Sequence, residues 1–296
     1  AKVVHEGYTD TQAYEVYLKK NGFYKEGAPK IAMVGGMNDP FSGNRANIDS
    51  IIVSFQNAGM NVYPVASFMK RLYFLSDIKP DAVLYFPHGR IAMGRADATV
   101  DWLRQQNIPL FAPLTILQKR EDWEKDPMGM FGGFMSQSVM MPELDGAIYP
   151  YVLTAQEEDK DGLYHFNTIP DRLRNFTKIV SNFIALKRKS NADKKVAIYY
   201  LKGPGQATLT AQGLETVPSL YNFLLRLKSE GYKVDNLPSD VKAFESLIMS
   251  QGAVMSTYAK GAFDGFLKTG QPALIEKAEY ESWVKQAMPA DLYAQV

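Results

Sequence analysis

Short apolar runs alternate with amphipathic segments along the chain, and this alternation restricts the fold more than any other feature of the sequence. The run Lys30–Gly36 (KIAMVGG) precedes apolar residues at helical spacing, and Gly59 closes that helix because glycine tolerates a left-handed cap. The strand-like runs NVYPVAS, DAVLYFPHG and IPLFAP follow, each separated from the next by a helical segment. This β-α-β-α-β-α-β order predicts an α/β domain with a largely parallel, Rossmann-like or flavodoxin-like sheet.

The second half of the chain repeats the pattern of the first. Lys194–Leu201 (KKVAIYYL) predicts a strand, and Gly231 follows Leu227 of the next helix by four residues, as Gly59 follows Phe55. We therefore expect two parallel-sheet units related by an internal repeat. The expected boundaries are residues 1–150 for the first unit with its PELDG loop, 151–193 for a linker and bridging helix, and 194–296 for an incomplete second unit.

Composition excludes several classes of function. A net charge of +1, from 33 basic and 32 acidic side chains, favours neither nucleic acid nor an anionic membrane as a partner. The chain has no cysteine, which excludes thiol catalysis and cysteine-ligated zinc and fits a reducing, cytoplasmic location. It contains no apolar run near the roughly 18 residues that a membrane span requires.

Two glycine-bearing loops follow predicted strands, where a phosphate group could be cradled. Neither Val34–Asn44 nor Leu201–Gly213 carries a Walker A motif, and Thr208 replaces the third glycine of a dinucleotide fingerprint. The sequence thus gives no support for a self-contained ATP or NAD site. The second loop still combines rigid and permissive backbone in a way that suits close approach to a ligand. Its candidate ligand-facing residues are Lys202, Gly203, Pro204, Gly205 and Gln206.

The three histidines, His5, His88 and His165, are too far apart for a zinc signature. His88 ends the predicted buried strand DAVLYFPHG, at the edge where such sheets bind ligands. A neutral imidazole there could ligate a metal or carry a proton. The alternative is a surface histidine without a role.

Two carboxylates, Glu143 and Asp145, stand close together in the stretch MMPELDGAIYP. Pro142 and Asp145–Gly146 favour a tight turn, in which Asp145 accepts backbone hydrogen bonds and Glu143 is the freer carboxylate. Turn chemistry and a catalytic pair both remain open. Nearby methionines would suit a flat apolar ligand, or they fill a core. They are Met128, Met130, Met135, Met140 and Met141.

The stretch from IPLFAP to PELDG resembles the large subunits of cobaltochelatase and magnesium chelatase. The residues that carry the resemblance are Pro109, Pro113, Leu114, Trp123, Gly129 and Pro142–Gly146. A second block, Ser219–Val234 with Leu237-Pro238, is similar to another segment of the same family, and so is the earlier NIDSIIVSFQNAGMNVYPV. Together these blocks cover most of the chain.

The resemblance implies an internal fragment of a much longer protein that binds a tetrapyrrole and inserts or removes a divalent metal ion. The expected parent is a ligase-type chelatase whose ATP hydrolysis belongs to separate AAA+ subunits, and the fragment alone is expected to be inactive. The implied site residues are His88, for the metal or a proton, and Glu143 and Asp145, for proton handling or loop orientation. A non-enzymatic tetrapyrrole-binding or partner-docking module is the alternative.

One segment departs from the cobaltochelatase pattern. Where those proteins tend to show N-x-P-P-G-x-G-N-I-G, this chain has LKGPGQATLTAQG. That form resembles a branch associated with haem uptake, which implies removal of iron from haem as a plausible reaction. Tetrapyrrole chemistry is expected in either case.

Overall fold

The computed structural model describes residues 7–36, 44–92, 94–199, 210–211, 213–251, 261–270 and 274–295. The chain divides into two compact units, residues 1–188 and 189–296. The candidate loop Lys202–Gln206 lies outside the described residues, as does His5.

A six-stranded sheet forms the centre of the first unit, with strand order β2-β1-β3-β4-β5-β6. The first five strands are parallel, and β6 pairs antiparallel with β5. The strands are β1 (Lys30–Gly35), β2 (Asn61–Val65), β3 (Ala82–Phe86), β4 (Leu110–Lys119), β5 (Ala147–Glu158) and β6 (Tyr164–Thr168). The order 2-1-3-4-5 is that of flavodoxin-like folds, so the predicted α/β class with a mostly parallel sheet is confirmed.

Helices cover both faces of this sheet. Those of the first unit are α1 (Thr11–Lys20), α2 (Ala46–Asn57), α3 (Arg71–Ile78), α4 (Ala96–Gln106), α5 (Arg120–Lys125), α6 (Gly132–Met135), α7 (Met141–Leu144) and α8 (Pro170–Arg188). A π-helical turn, Ser136–Met140, joins α6 to α7. Gly59 ends α2 with a φ of 88°, as the sequence predicts.

The residues of β1 alternate between two cores. Ile31 and Met33 pack with α2 and α8, whereas Ala32 and Val34 pack with α1, α3 and α4. Each of these four side chains is fully buried. Burial on both faces explains why the central strands read as continuous apolar runs, because neither face meets water.

Two strands extend well past the others at the ligand-facing edge. β4 has 10 residues and β5 has 12, compared with five in β3. Their pairing is irregular, with register shifts between Phe111 and Pro113 and again beyond Leu114. Proline has no N–H to donate to a ladder, so an irregularity at Pro113 is expected. The long carboxyl halves of β4 and β5 therefore form a surface beyond the edge of the central strands.

A linker and a bridging helix are expected from the sequence at residues 151–193. Of these, residues 151–188 belong to the first unit. The charged stretch around Glu157 lies in the β5–β6 hairpin rather than in a free loop. The helix predicted over 170–189 is α8, and its side chains Phe176 and Val180 are fully buried against the sheet. A helix that buries an apolar face against a sheet is part of the core of that unit, so α8 packs as a core helix of the first unit.

The second unit is mainly helical in its described part. Its helices are α9 (Thr216–Ser229), α10 (Val241–Gln251), α11 (Ala262–Thr269), α12 (Lys277–Ala287) and α13 (Ala290–Tyr293), with a 3₁₀ turn at Asn191–Asp193 and a two-residue strand pair, β7 (Thr210–Ala211) and β8 (Leu214–Glu215). Tyr221 and Phe244 join α9 to α10, with ring centroids 5.6 Å apart. The Tyr221 hydroxyl also donates to the Pro238 carbonyl at 3.0 Å.

The predicted internal repeat is not confirmed. Residues 194–199, the described part of the expected strand Lys194–Leu201, pair with no strand among the described residues, and Val196 and Tyr199 are exposed. The matching helix and its closing Gly231, with a φ of 85°, are present. A helix satisfies its own backbone, whereas a strand needs a paired neighbour, and none pairs with 194–199 in the described part of the unit.

None of the described helices combines the length and the apolar character needed to cross a bilayer.

Candidate functional site

The site begins where the sheet reverses its direction of winding, between the carboxyl ends of β1 and β3. Ligands of open α/β sheets bind at such a point. Gly35 and Gly36 end β1, and the Gly36 N–H donates to the Phe86 carbonyl at 2.7 Å. Pro87 and His88 follow directly after β3. His88 is exposed at this edge.

Gly35 has no room for a side chain. Its φ is 108°, and a Cβ atom would lie 2.3 Å from the Phe86 carbonyl oxygen and 2.7 Å from the Tyr85 ring. Only glycine fits such an approach of two strands. The loop after β1 therefore starts from a tightly packed point, not from a loose turn.

A buried tyrosine holds the loop that carries His88. The Tyr85 hydroxyl donates to the carbonyls of Gly89, at 2.9 Å, and Arg90, at 3.1 Å, and it accepts the His88 N–H at 3.2 Å. Burial raises the pKa of Tyr85, so the hydroxyl keeps its proton at neutral pH. Arg71 donates to the Ile91 carbonyl at 2.8 Å. The side chains of Tyr85 and Arg71 thus hold the backbone of the loop that carries His88.

Asp145 fastens the same loop to the PELDG turn. Its side chain is fully buried, and its two carboxylate oxygens accept from Arg90 Nε at 2.6 Å and from the Ile91 N–H at 2.7 Å. The turn itself is closed by N–H groups of Asp145 and Gly146, which donate to the carbonyls of Pro142 and Glu143. Asp145 accepts a backbone hydrogen bond, as predicted, and its geometry is that of a loop-orienting group. Glu143 is exposed.

The helical run before this turn contains a wide turn. The Met141 N–H donates to the Ser136 carbonyl, five residues earlier, instead of four. Single π turns inside helices are frequent at functional sites. The run also contacts the His88 loop, because the Gly89 N–H donates to the Gln137 carbonyl at 2.9 Å. One continuous assembly therefore connects the β3 loop, the π turn and the PELDG turn.

An apolar groove lies beside this assembly, against the extended halves of β4 and β5. Its volume is about 640 Å³, within the range of small-molecule sites. Its lining residues are Leu114, Ile116, Leu117, Gln118, Trp123, Gly129, Met130, Phe131, Phe134, Met135, Val139, Pro150 and Val152. A smaller cavity of about 50 Å³, lined by Gly36 and Pro87 among others, shares Leu114 and Phe134 with the groove. The groove thus leads towards the edge where His88 lies.

The methionine cluster is not a core. Met128 is 78% exposed and Met140 is 57% exposed, while Met130 and Met135 line the groove. Exposed apolar surface of this extent normally marks an interaction site. Of the two interpretations open in the sequence, a soft apolar binding surface fits these positions better than core filling.

Metal-ligand clusters of three or more His, Asp or Glu side chains are absent from the described residues. His165 pairs with Asp159 at 2.7 Å on the β5–β6 hairpin.

Sequence patterns alone missed Arg90, Tyr85 and the aromatic lining of the groove. Arg90 pairs with a carboxylate 55 residues away, and no local pattern indicates that contact. Phe131 and Phe134 stand in a segment with two adjacent glycines, GMFGGFM, between Trp123 and the PELDG turn. The signal that could have found them is the density of large apolar residues in a segment too rich in glycine for a core helix.

Comparison with known proteins identifies the family. The family model described as CobN/Magnesium Chelatase matches residues 2–296. The chain is 30% identical over 222 residues to an uncharacterized protein of Methanocaldococcus jannaschii, covering 70% of this chain and 18% of that one. It is 27% identical over 260 residues to a magnesium-chelatase subunit of Chlorobaculum parvum, covering 82% and 20%. It is 23% identical over 230 residues to the aerobic cobaltochelatase subunit CobN of Pseudomonas aeruginosa, covering 73% and 18%.

A solved structure shares the fold. The catalytic subunit of cobaltochelatase from Mycobacterium tuberculosis superposes with a TM-score of 0.67 at 22% identity, over 90% of this chain and 22% of that one. The chain spans about a fifth of the length of the curated relatives it matches. The resemblance inferred from the PELDG region is confirmed over nearly the whole sequence. The chain belongs to the CobN/magnesium chelatase family.

Proposed function

We propose that this chain forms part of a chelatase-like large subunit and holds a tetrapyrrole in the groove between β4, β5 and the helical run 132–144. The observation that carries the proposal is the groove itself, which is wide, apolar and lined by Trp123, Phe131 and Phe134. Flat macrocycles bind by burying their faces against aromatic and methionine side chains. The proposed reaction class is insertion or removal of a divalent metal at a tetrapyrrole, and membership in a family that includes magnesium and cobalt chelatase subunits supports it.

Three side chains near the groove would have different roles in metal exchange. His88, exposed at the sheet edge, would escort the metal ion or exchange one of the two pyrrole protons with the ring. Glu143, the exposed carboxylate of the turn, would exchange the other proton. Both groups would accept protons when a metal is inserted and donate them when a metal is removed. Asp145, buried and bound to Arg90, would orient the loop without itself transferring protons. Lys202–Gln206 of the second unit stay candidate ligand-facing residues on the strength of their sequence.

The direction of transfer is proposed from the sequence of that loop. Its similarity to the haem-uptake branch favours removal of iron from haem over insertion of cobalt. ATP would be hydrolysed by separate AAA+ subunits, as the family resemblance implies, and this division would account for the missing Walker A motif. The protein would act in the cytoplasm.

Spectroscopic titration tests the binding step. The chain is titrated with haem, zinc porphyrin and metal-free porphyrin, and the Soret band is followed. Saturable binding of all three, with His88→Ala weakening the two metal complexes but not the metal-free ring, is expected. A Soret band that does not respond to the protein contradicts the proposal. The reaction itself requires the full-length parent with haem under reducing, anaerobic conditions, assayed for free iron and intact porphyrin.

The second candidate is a non-enzymatic module that binds a tetrapyrrole or docks a partner subunit. Exposed apolar side chains such as Met128 and Phe131 favour it, since they also suit a protein interface. Tight binding of porphyrin with no metal exchange in the parent protein supports this module.

A further inference from the structure

Two residues that line the small cavity at the sheet edge have hydroxyl groups without a hydrogen bond to any described residue. The lining of this cavity includes Gly36 and Pro87, just past the ends of β1 and β3, together with Thr115 of β4 and Ser138 of the π turn. The hydroxyls are those of Thr115 and Ser138, and Ser138 is only 5% exposed. Most buried polar side chains in proteins bond to the protein or to ordered water. The Ser138 hydroxyl therefore indicates a bound molecule.

Other serine hydroxyls in helices of this chain bond to their own helix. Ser50 donates to the Ala46 carbonyl at 2.8 Å, and Ser181 donates to the Thr177 carbonyl at 2.7 Å. Such a bond to the carbonyl of the preceding turn is a common way for a helical serine to satisfy its hydroxyl. Ser138 forms no bond of this kind within the described chain, so its hydroxyl is available to the cavity.

The size and lining of the cavity select water as its occupant. The volume is about 50 Å³. One water molecule needs roughly 10–15 Å³ of such space, so the cavity has room for about three at most. Its described lining has no charged side chain, and it therefore offers no counter-ion to an anion or a metal ion. A hydroxyl both donates and accepts, which is what a bound water requires of its partners.

The cavity adjoins both the groove and the loop that carries His88. It shares Leu114 and Phe134 with the groove, and Ser138 directly precedes Val139, which lines the groove. Pro87, in the cavity lining, directly precedes His88. No ionisable side chain is among the described lining residues of the groove. A ring held there would have no proton acceptor or donor of that kind against its faces.

We propose that Thr115 and Ser138 hold water that carries a proton between the ring in the groove and the sheet edge at His88. The inference rests on the proposed tetrapyrrole site and adds a route for the proton assigned to His88. When a metal is inserted, the ring N–H proton passes to the water and a different proton leaves the water towards His88. When a metal is removed, the transfers run in the opposite direction. Each oxygen on the route gains one proton and loses one, so water and hydroxyls are regenerated.

Crystallography of the chain alone tests the water site. At a resolution that shows ordered water, we expect a water oxygen within about 3.2 Å of both hydroxyl oxygens. The double variant Thr115→Val, Ser138→Ala should lose this water, and Thr115→Ser should retain it. A cavity without such a water in the unmodified chain overturns the proposal, whatever activity the parent protein shows.

Metal exchange by the full-length parent tests the proton route. Ser138→Ala and Thr115→Val should each lower kcat roughly tenfold with KM for the porphyrin unchanged, because the water loses one hydrogen bond that holds it in place. Thr115→Ser keeps the hydroxyl and should retain the rate. Ser136→Ala is the matched control, since Ser136 lies in the same π turn but lines neither the cavity nor the groove.

The outcomes separate this route from the groove itself. An unchanged kcat in both Ser138→Ala and Thr115→Val overturns the route and leaves the groove proposal intact. A fall in porphyrin affinity that matches the fall in rate also overturns it, because the two residues would then act on binding. A parent that binds no porphyrin and exchanges no metal overturns both proposals.

Discussion

Oδ1 of Asp145 lies 2.6 Å from Nε of Arg90, with the aspartate side chain fully buried and the arginine side chain 27% exposed. This pair connects the loop after β3 to the turn after α7, and the Ile91 N–H completes it. Breaking one partner of a buried pair leaves the other charge without compensation. The position of His88 therefore depends on a carboxylate that is itself buried beneath the surface.

Asp145→Asn should destabilise the first unit by about 2–3 kcal/mol, because a charge-assisted hydrogen bond is lost and Arg90 is left unpaired. Urea unfolding followed by circular dichroism measures this loss. The control is Asp101→Asn, which breaks an exposed pair with Arg104 and should cost less than about 1 kcal/mol. Equal losses of unfolding free energy in the two variants would show that the buried pair stabilises the unit no more than the exposed pair does.

Gly35→Ala and Gly22→Ala separate backbone strain from lack of space. Both glycines have positive φ values, 108° and 73°, so an alanine is strained at either position. Only Gly35 is crowded, by the Phe86 carbonyl and the Tyr85 ring. We expect about 1 kcal/mol of destabilisation for Gly22→Ala and about 3 kcal/mol for Gly35→Ala. Thermal unfolding of the two variants measures this difference. Similar melting temperatures would contradict the prediction that Gly35→Ala is the more destabilising change.

Glu15 should make the stability of the first unit sensitive to acid. Burial raises its pKa, but hydrogen bonds from Lys30 at 2.8 Å and Tyr63 at 2.7 Å outweigh this effect and hold the pKa below the ordinary value of 4.5. A depressed native pKa means that the unfolded chain binds the proton more readily. The stabilisation is therefore complete above pH 4.5 and is lost as the pH falls through the lower native value.

The variant Glu15→Gln tests this sign. Its free energy of unfolding should vary less between about pH 5 and pH 3 than that of the unmodified chain, as measured by urea titrations across that range. An unchanged pH profile would mean that Glu15 is not responsible.

Phe131→Ser should weaken binding of metal-free porphyrin roughly tenfold to a hundredfold, because an aromatic contact in the groove is lost. Phe131 is 74% exposed, so the free energy of unfolding should change by less than about 0.5 kcal/mol. Soret titration and urea unfolding of the same preparation separate the two effects. Met69→Ser, which removes an 85% exposed side chain of the first unit that does not line the groove, should leave both quantities unchanged.

Local patterns predict the first unit well because its central strands are buried on both faces. The apolar runs around Ile31 and Leu84 could hardly be anything but interior strands, and the PELDG turn follows from Pro142 and Gly146. The same rule predicts a strand around Val196 that is not confirmed, since this apolar run pairs with no strand in the described part of the chain. Strand formation depends on a distant neighbour, and local hydrophobicity does not reveal whether one is present.

The site was predictable only in part. The location of His88 follows from topology, because the carboxyl ends of parallel strands share one edge. The pairing of Asp145 with Arg90 and the hydrogen bond from the Gly89 N–H to the Gln137 carbonyl depend on contacts between distant segments. Such contacts follow from the packing of whole helices and strands, and the spacing of residues along the sequence does not predict them.

The π turn at Ser136–Met140 changes the angular phase of the helical run that borders the groove. An α-helix advances about 100° per residue, so one additional residue in a turn rotates everything beyond it by about that angle. Phe134 lies before the π turn and Glu143 lies after it. An uninterrupted 3.6-residue repeat would therefore give the wrong angle between these two side chains around the helix axis. Deleting a single residue here would swing the acidic turn to another side of the helix while hardly changing its composition.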